Sequence, residues 1–262
     1  MSQAAFSIDP FVEDASLIPA STPIWREALF PLEWLALRAS PVYWGFGVPH
    51  GSGEPVVVVP GFLASDTSLV ELYWWLARIG YRPYFSRIGR NVDCPDFQTG
   101  RLRETVLRAR QETGQRVRLV GHSLGGMLSR NLALEHPEDV AMVITLGSPF
   151  RDAVRAHPVL ISAAATIRSY AGRGAARNVR PSCFSGHCTC TFVKNMLMPG
   201  EWRVPRFAVF SRQDGVVEWE SCVEDDPALN DEVHASHLGM VVHAGTYRAI
   251  ARRLRMCEAG SG

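Results

Sequence analysis

The chain has 262 residues, enough for a sizeable core, and its 47% hydrophobic and 20% charged content is that of a globular protein. A net charge of +1 removes the electrostatic case for nucleic-acid binding, and no apolar run approaches the length of a transmembrane helix. Residues 1–22 lack a basic start and a continuous apolar stretch and carry Asp9, Glu13 and Asp14, so they do not read as an export signal. The expectation is a cytoplasmic chain, with export of a processed form left open.

Pro10, Pro19 and Pro23 break the first stretch into a polar arm expected to be poorly ordered. Glu27–Arg38 is helical in pattern, with Pro31 marking a boundary or kink. Trp25, Trp34 and Trp44 make this segment aromatic. Packing on the domain is the simpler expectation, and a surface that meets lipid or an apolar substrate is the alternative. After the Gly/Pro-rich stretch Gly45–Pro55, Val56–Val59 is a run of β-branched residues suited to a central parallel strand covered on both faces. Pro60-Gly61-Phe62-Leu63 ends it. Asp66 is positioned to cap a helix over Thr67–Ile79, closed by Gly80. Tyr81–Ser86 alternates as the next strand, Asn91–Gly100 reads as a loop, and Leu102–Glu112 has helical spacing with its arginines on a solvated face.

A short buried strand beginning at Val117 then runs into Gly121-His122-Ser123-Leu124-Gly125, followed by a helix from Leu124 to His136 that Pro137 ends. Val140–Leu146 is another apolar strand, closed by Gly147-Ser148-Pro149. Alternation of strand and helix with modest connections predicts an α/β protein with a doubly wound, mostly parallel sheet. From Phe150 to about Pro205 the rhythm breaks. A small-residue helix at Val159–Tyr170 and a cysteine cluster fall in this excursion, which is too long for a plain connection and reads as a cap or lid. Arg206–Ser211 resumes the sheet, Glu232–Ser236 is a short last strand, and Gly245–Met256 a last helix. The resulting division is an N-terminal arm and helical segment (1–55), a first part of the core (56–150), a cap (151–205) and a second part of the core (206–262).

Three of the six cysteines crowd into Cys183, Cys188 and Cys190. Their spacing fits no paired metal-binding scheme, so small buried thiols are expected. Zinc with His187, and a disulfide to Cys222, are the sharper alternatives.

Gly121-x-Ser123-x-Gly125 between a strand and a helix is the pattern of a strained turn that exposes a serine hydroxyl, with helix amides behind it to stabilise negative charge. A serine is a poor nucleophile until a base takes its proton and a third group orients that base. In a doubly wound sheet such groups gather beyond the C-terminal ends of the strands. Asp214 follows the strand at Phe207–Phe210, and His237 follows the strand ending near Ser236. Ser123, Asp214 and His237 also stand in the chain order that accompanies this kind of turn. Glu218 is the best alternative acid. Asp225 and Asp226 look solvated, His234 points to the other face of its strand, His243 lies near the last helix, and His122 supports the turn. The amides of Leu124 and Phe62 are the candidate oxyanion donors, and Phe62 and Leu63 would line the substrate cleft.

Five stretches carry a family likeness: Val-Pro-Gly-Phe at 59–62, Gly-His-Ser-Leu-Gly-Gly at 121–126, Leu-Gly-Ser-Pro at 146–149, Ser-Arg-Gln-Asp-Gly-Val-Val at 211–217 and Ser-His-Leu-Gly-Met at 236–240. With them the chain resembles an α/β-hydrolase-fold serine esterase or lipase of the bacterial lipase-like kind, over about Val56 to Arg255. The resemblance implies that fold, with a cap where Phe150 to Pro205 sits. It also implies hydrolysis of carboxylic esters through an acyl-enzyme, with no metal or cofactor. Ser123 would attack, His237 would accept and return the proton, Asp214 would fix the imidazole, and the Leu124 and Phe62 amides would hold the oxyanion. Pro60-Gly61 stands where such lipases often carry His-Gly, which leaves the substrate open. A small-molecule or lipid ester is the expected partner, with peripheral contact with lipid and an open oligomeric state. A polyester depolymerase, thioesterase or acyltransferase with the same triad is the alternative. A binding protein on a retired hydrolase scaffold is the remaining one.

Overall fold

The computed structural model describes residues 22–151, 178, 190–197 and 199–256. Among these residues one sheet is built from β1 (Pro55–Val59), β2 (Arg82–Phe85), β3 (Val117–His122), β4 (Val140–Leu146), β5 (Arg206–Phe210) and β6 (Asn230–Glu232). Their order is β2-β1-β3-β4-β5-β6, and every neighbouring pair is parallel. Parallel neighbours require long crossovers, which put helices on both faces of the sheet. The helices are α1 (Phe30–Ala39), α2 (Val70–Arg78), α3 (Pro95–Thr113), α4 (Leu124–Glu135), α5 (Thr191–Leu197) and α6 (Ala244–Met256).

The two-sided burial explains the composition of β1. Val56 and Val58 pack into one core with Leu37 of α1, Leu72 and Trp75 of α2, and Tyr247 and Ile250 of α6. Val57 and Val59 pack into a second core with Leu102 and Val106 of α3 and Leu128 and Leu132 of α4. A strand with a core on each face has no position for a polar side chain. On the first face the Trp75 indole N–H donates to the Val42 carbonyl at 2.8 Å, tying α2 to the short 3-10 turn Pro41–Trp44.

The N-terminal segment packs on this first face. Leu37, Val42 and Tyr43 are buried, whereas Trp25 and Trp44 are exposed. Glu71 of α2 gathers the Trp34 indole N–H at 2.9 Å, the Tyr43 hydroxyl at 2.9 Å and the Arg38 guanidinium. Partial burial would raise the Glu71 pKa, but these three donors hold it below the ordinary carboxylate value. Pro31 stands at the start of α1, after the 3-10 turn Ile24–Leu29, where a missing N–H costs nothing. The arm before Thr22 lies outside the described residues.

Local structure departs from the sequence-based expectations at four places. Asp66 does not cap a helix. Its carboxylate instead accepts from the Ser86 amide at 3.1 Å, the Ser86 hydroxyl at 2.6 Å and the Arg87 amide at 2.9 Å, serving amides just past β2. The helix expected from Thr67 is a 3-10 turn, Asp66–Leu69, followed by α2. The loop expected over Asn91–Gly100 is largely helix, because Pro95 starts α3 and Gln98, Thr99 and Leu102 turn inward from its first turns. The last strand is Asn230–Glu232 and shares only Glu232 with the expected Glu232–Ser236; beyond it the Ala235 amide bonds to the Ser211 hydroxyl, and the amides of residues 236–238 bond to side-chain carboxylates rather than to a neighbouring strand.

The two ends of the excursion after β4 are held to the core. Arg130 of α4 is buried between Phe150 and Trp202, its guanidinium carbon 3.7 Å and 4.5 Å from the two ring centroids. It ion-pairs with Glu224, which also receives Arg206 Nε at 2.9 Å. At the far end Asp96 accepts from the Thr191 and Phe192 amides at 2.9 and 2.8 Å, satisfying the free amides that begin α5. Phe192 then enters the second core. The helix expected at Val159–Tyr170, together with Cys183, His187 and Cys188, lies outside the described residues. Cys222 is a buried free thiol, so the alternative of a disulfide to it is not formed. Burial pushes its pKa up.

Candidate active site

The strand order reverses direction between β1 and β3, and side chains and ligands collect beyond the C-terminal ends of the strands at such a point. Val59 pairs with Gly121, so the turn after β1 and the turn after β3 emerge side by side. His122 pairs with Leu146, and the Ser123 amide donates to the Leu146 carbonyl at 2.8 Å, which brings Gly147 alongside. Leu146 pairs with Val209 and Phe210 with Glu232, which delivers the loops after β5 and β6 to the same edge.

Ser123 has φ 51° and ψ −124°, a conformation that L-residues rarely adopt. The turn is tight enough that a Cβ on Gly121 would lie 2.5 Å from the Gly125 carbonyl oxygen, and one on Gly125 would lie 2.5 Å from the Pro60 carbonyl oxygen. Glycine at both positions lets α4 start directly against the end of β1. Ser123 therefore stands at the head of α4, where first-turn amides lack intrahelical acceptors and the helix dipole favours negative charge. Leu124 is the first residue of that helix.

Asp214 and His237 meet. His237 Nδ1 and Asp214 Oδ2 are 2.6 Å apart, and both side chains are buried. Asp214 Oδ1 accepts from the Val216 and Val217 amides at 2.8 and 2.9 Å, so the carboxylate is fixed on both oxygens. With the Nδ1 proton directed at Asp214, Nε2 is the free acceptor of the ring. Burial by itself would lower the His237 pKa. The charge and hydrogen bond of Asp214, helped by the charge of Glu27, outweigh it and raise the value above that of an ordinary histidine. A Cβ on Gly147 would lie 3.2 Å from both Asp214 Oδ2 and His237 Nδ1, which sets the pair beside the residue that follows Leu146.

His122, which precedes Ser123, packs against His237. Its ring lies 4.7 Å from that of His237, and its Nε2 is 3.0 Å from the His237 carbonyl oxygen. Burial, with a smaller effect from His237, depresses its pKa to about 3, so it stands neutral and donates through Nε2. Of the competing groups, Asp225, Asp226 and His234 are exposed. Glu218 is not the partner of His237 Nδ1, a place Asp214 holds.

The turn after β1 closes with the Ala64 amide on the Gly61 carbonyl at 3.2 Å, and Leu63 takes a positive φ of 63°. Asn91 holds this turn at three points. Its carbonyl accepts from the Leu63 amide at 3.0 Å, its amide donates to the Ala64 carbonyl at 2.9 Å, and its side-chain amide donates to the Pro60 carbonyl at 2.9 Å. Phe62 is half-buried and Leu63 exposed at the rim. A cavity of about 430 Å³ lined by Thr22, Pro23, Arg212, Asp214 and Trp219, among others, opens beside Asp214 and does not touch Ser123.

Three residues of this region carry no signal in the sequence: Asn91, read only as the start of a loop, and Glu27 and Glu33, read only as part of a segment helical in pattern. Glu27 bonds to the amides of His237 and Leu238, more than 200 residues away along the chain, and local patterning holds no trace of such a contact.

The α/β-hydrolase fold family matches residues 56–170. A triacylglycerol lipase of Burkholderia plantarii is 30% identical over 149 residues, which are 52% of this chain and 41% of that protein. A triacylglycerol lipase of Pseudarthrobacter phenanthrenivorans is 33% identical over 107 residues, 37% of this chain and 33% of that protein. The chain thus spans less than half the length of either curated relative. Among solved structures, the mature Bacillus licheniformis lipase BlEst2 has a TM-score of 0.57 at 17% identity, over 80% of this chain and 94% of that one. A structure from the metagenome-derived lipolytic enzymes LipS and LipT has a TM-score of 0.56 at 18% identity, over 81% of this chain and 96% of that one. At these identities the structural likeness is one of fold.

Proposed function

We propose that this chain, which has the α/β-hydrolase fold, cleaves carboxylic esters with Ser123 as nucleophile, His237 as base and Asp214 as the acid that orients it. The observation that carries this reading is the buried 2.6 Å contact between His237 and Asp214, at the same sheet edge as the strained Ser123 turn. Ser123 Oγ bonds to the ester carbonyl carbon while His237 Nε2 takes the hydroxyl proton. The carbonyl oxygen becomes an oxyanion held by the Leu124 and Phe62 amides. Collapse breaks the ester C–O bond, and the leaving alcohol takes the proton from His237. Water then repeats the sequence on the acyl-enzyme and releases the acid. Loss of one oxyanion donor typically costs about 100- to 1000-fold in turnover.

His237 must be neutral to act as base, so kcat/KM rises with pH through a value above the ordinary histidine pKa of about 6.5. Covalent labelling with a fluorophosphonate tests the assignment. The wild-type protein takes one label, and Ser123→Ala takes none while keeping its circular dichroism spectrum. Labelling that survives the substitution overturns the reading.

For the substrate we propose an ester with an apolar acyl group, because Phe62 and Leu63 border the Ser123 turn. Turnover across p-nitrophenyl esters of increasing chain length checks this, and a preference for acetate over every longer acyl group counts against it. Exposed Trp25, Leu29, Leu32 and Leu35 recur along one side of the N-terminal segment, and this row supports peripheral contact with lipid. Co-sedimentation with phosphatidylcholine vesicles that persists undiminished in Leu32→Ser/Leu35→Ser would refute that contact.

A further inference from the structure

The N-terminal segment reaches the site with two carboxylates. Glu27, on the 3-10 turn Ile24–Leu29, accepts through Oε1 from the Gly215 amide at 3.1 Å and the His237 amide at 2.9 Å, and through Oε2 from the Leu238 amide at 2.7 Å. Gly215 follows Asp214 in the chain, so one carboxylate ties the loop of the acid to the loop of the base. Glu33, on α1, accepts from the Ser236 amide at 2.7 Å and its hydroxyl at 2.6 Å. Ser236 Oγ in turn accepts from the Gly239 amide at 3.0 Å. Four consecutive amides, 236 to 239, are thus committed to side-chain oxygens in a concave anion-binding stretch of backbone. The fit is close, since a Cβ on Gly215 would lie 2.6 Å from Glu27 Oε1. The Thr22 hydroxyl donates to the Gly215 carbonyl at 2.8 Å and closes the same loop from the other side.

We propose that Glu27 is a second carboxylate of the active site: a positioning residue that holds the His237 loop against the Asp214 loop and adds negative charge beside the imidazolium formed in each half-reaction. This rests on the ester-hydrolase reading above. The groups facing His237 are Asp214 from the loop after β5, Glu27 from the N-terminal turn and neutral His122 from β3. Behind Asp214 stands the thiol of Cys222, and behind Ser236 stands Glu33. Among the described residues, Asp214 on the ring and Glu27 on the backbone amide are the groups in contact with His237 that bring negative charge, and both favour its protonated form.

A glutamine at position 27 has one acceptor oxygen in place of two and no charge. Its NH₂ must face either the Leu238 N–H or the Gly215 and His237 pair. Glu27→Gln should therefore lower kcat about tenfold with KM changed less than about twofold, and shift the acid limb of kcat/KM to lower pH by roughly half a unit. The direction follows because removing negative charge weakens proton binding to His237. Gly215→Ala, which pushes the Glu27 carboxylate away without removing it, should move the limb the same way and serves if Glu27→Gln does not fold. Glu71→Gln is the structural control. It loosens α1 through Trp34, Arg38 and Tyr43 without touching either loop, and should leave the limb where it is.

A wild-type limb position in folded Glu27→Gln, or an equal shift in Glu71→Gln, overturns the proposal. So does an unshifted limb in Gly215→Ala. If the wild-type protein itself takes no fluorophosphonate label, the hydrolase reading fails and this one with it. If the wild type is labelled and Glu27→Gln keeps its limb, only the role of Glu27 fails.

Discussion

The imidazole of His122 sits 4.7 Å from that of His237, with its Nε2 on the His237 carbonyl oxygen at 3.0 Å. The residue that precedes the proposed nucleophile therefore supports the loop of the proposed base. That support has a cost at low pH. The folded His122 pKa is about 3, so below about pH 6.5 the unfolded chain binds a proton that the folded chain does not. Stability then falls as pH falls, by about 1.4 kcal/mol per unit at most, until the folded pKa is reached. His237 adds no slope in this window. Its pKa is raised, so it is protonated in both states there, and its own contribution is lost only as pH rises through the folded value. His122→Gln keeps a side-chain N–H and removes the titration. Urea unfolding at about pH 4, 5 and 6 should give a shallower pH dependence than wild type, and equal slopes would sink the idea.

Ser123 stores strain. A non-glycine residue in such a conformation costs about 1–3 kcal/mol. Ser123→Gly relieves it, against a penalty of up to about 1 kcal/mol from the freer unfolded chain. Ser123→Ala keeps a Cβ and hence the strain. Both variants lose labelling, but only Ser123→Gly should melt a few degrees higher, as read by calorimetry. A glycine variant no more stable than the alanine variant would show that the turn is not strained.

Asn91→Ala removes the side-chain bond to the Pro60 carbonyl and frees one of three ties on the turn that carries the Phe62 amide. A misplacement of about 1 Å in such a site costs on the order of 100-fold in rate. The expected outcome is a kcat lowered by about 10- to 100-fold with KM little changed. Loss of affinity at full kcat would mean that the turn binds substrate without acting on the transition state.

Glu224→Ala leaves the Arg130 cation buried beside Phe150 and Trp202 without its partner. Breaking a buried pair from one side costs about 3–5 kcal/mol, whereas replacing both members by apolar residues is often close to neutral. Denaturant midpoints should rank Glu224→Ala well below the double variant Arg130→Met/Glu224→Leu. The reverse ranking would mean that the charges, not the packing, anchor the ends of the excursion.

Much of the fold was legible where a rule is local. Val56–Val59 and Val140–Leu146 are continuous apolar runs, and each is a central strand with a core on both faces. The glycines around Ser123 announced the turn because steric contact between adjacent elements admits nothing larger. Asn91–Gly100 reads as a loop, yet α3 starts at Pro95, because proline in a first turn begins a helix. Asp66 was read as a cap from its place before a helical run, yet the amides it serves belong to residues 86 and 87.

By itself the sequence determined the alternation of strand and helix, the strained serine turn, and the position of Asp214 in the loop after β5. These follow from periodicity and from sterics within a few residues, whereas the strand expected to end beside His237 ends at Glu232. Only the tertiary structure decided that Asp214 rather than Glu218 meets His237, that His122 supports the His237 loop, and that Glu27, Glu33 and Asn91 hold the surrounding turns. Those contacts join residues whose separation along the chain says nothing about their distance in space. They exist because the sheet order β2-β1-β3-β4-β5-β6 brings distant loops to one edge, and because every buried amide there needs an acceptor.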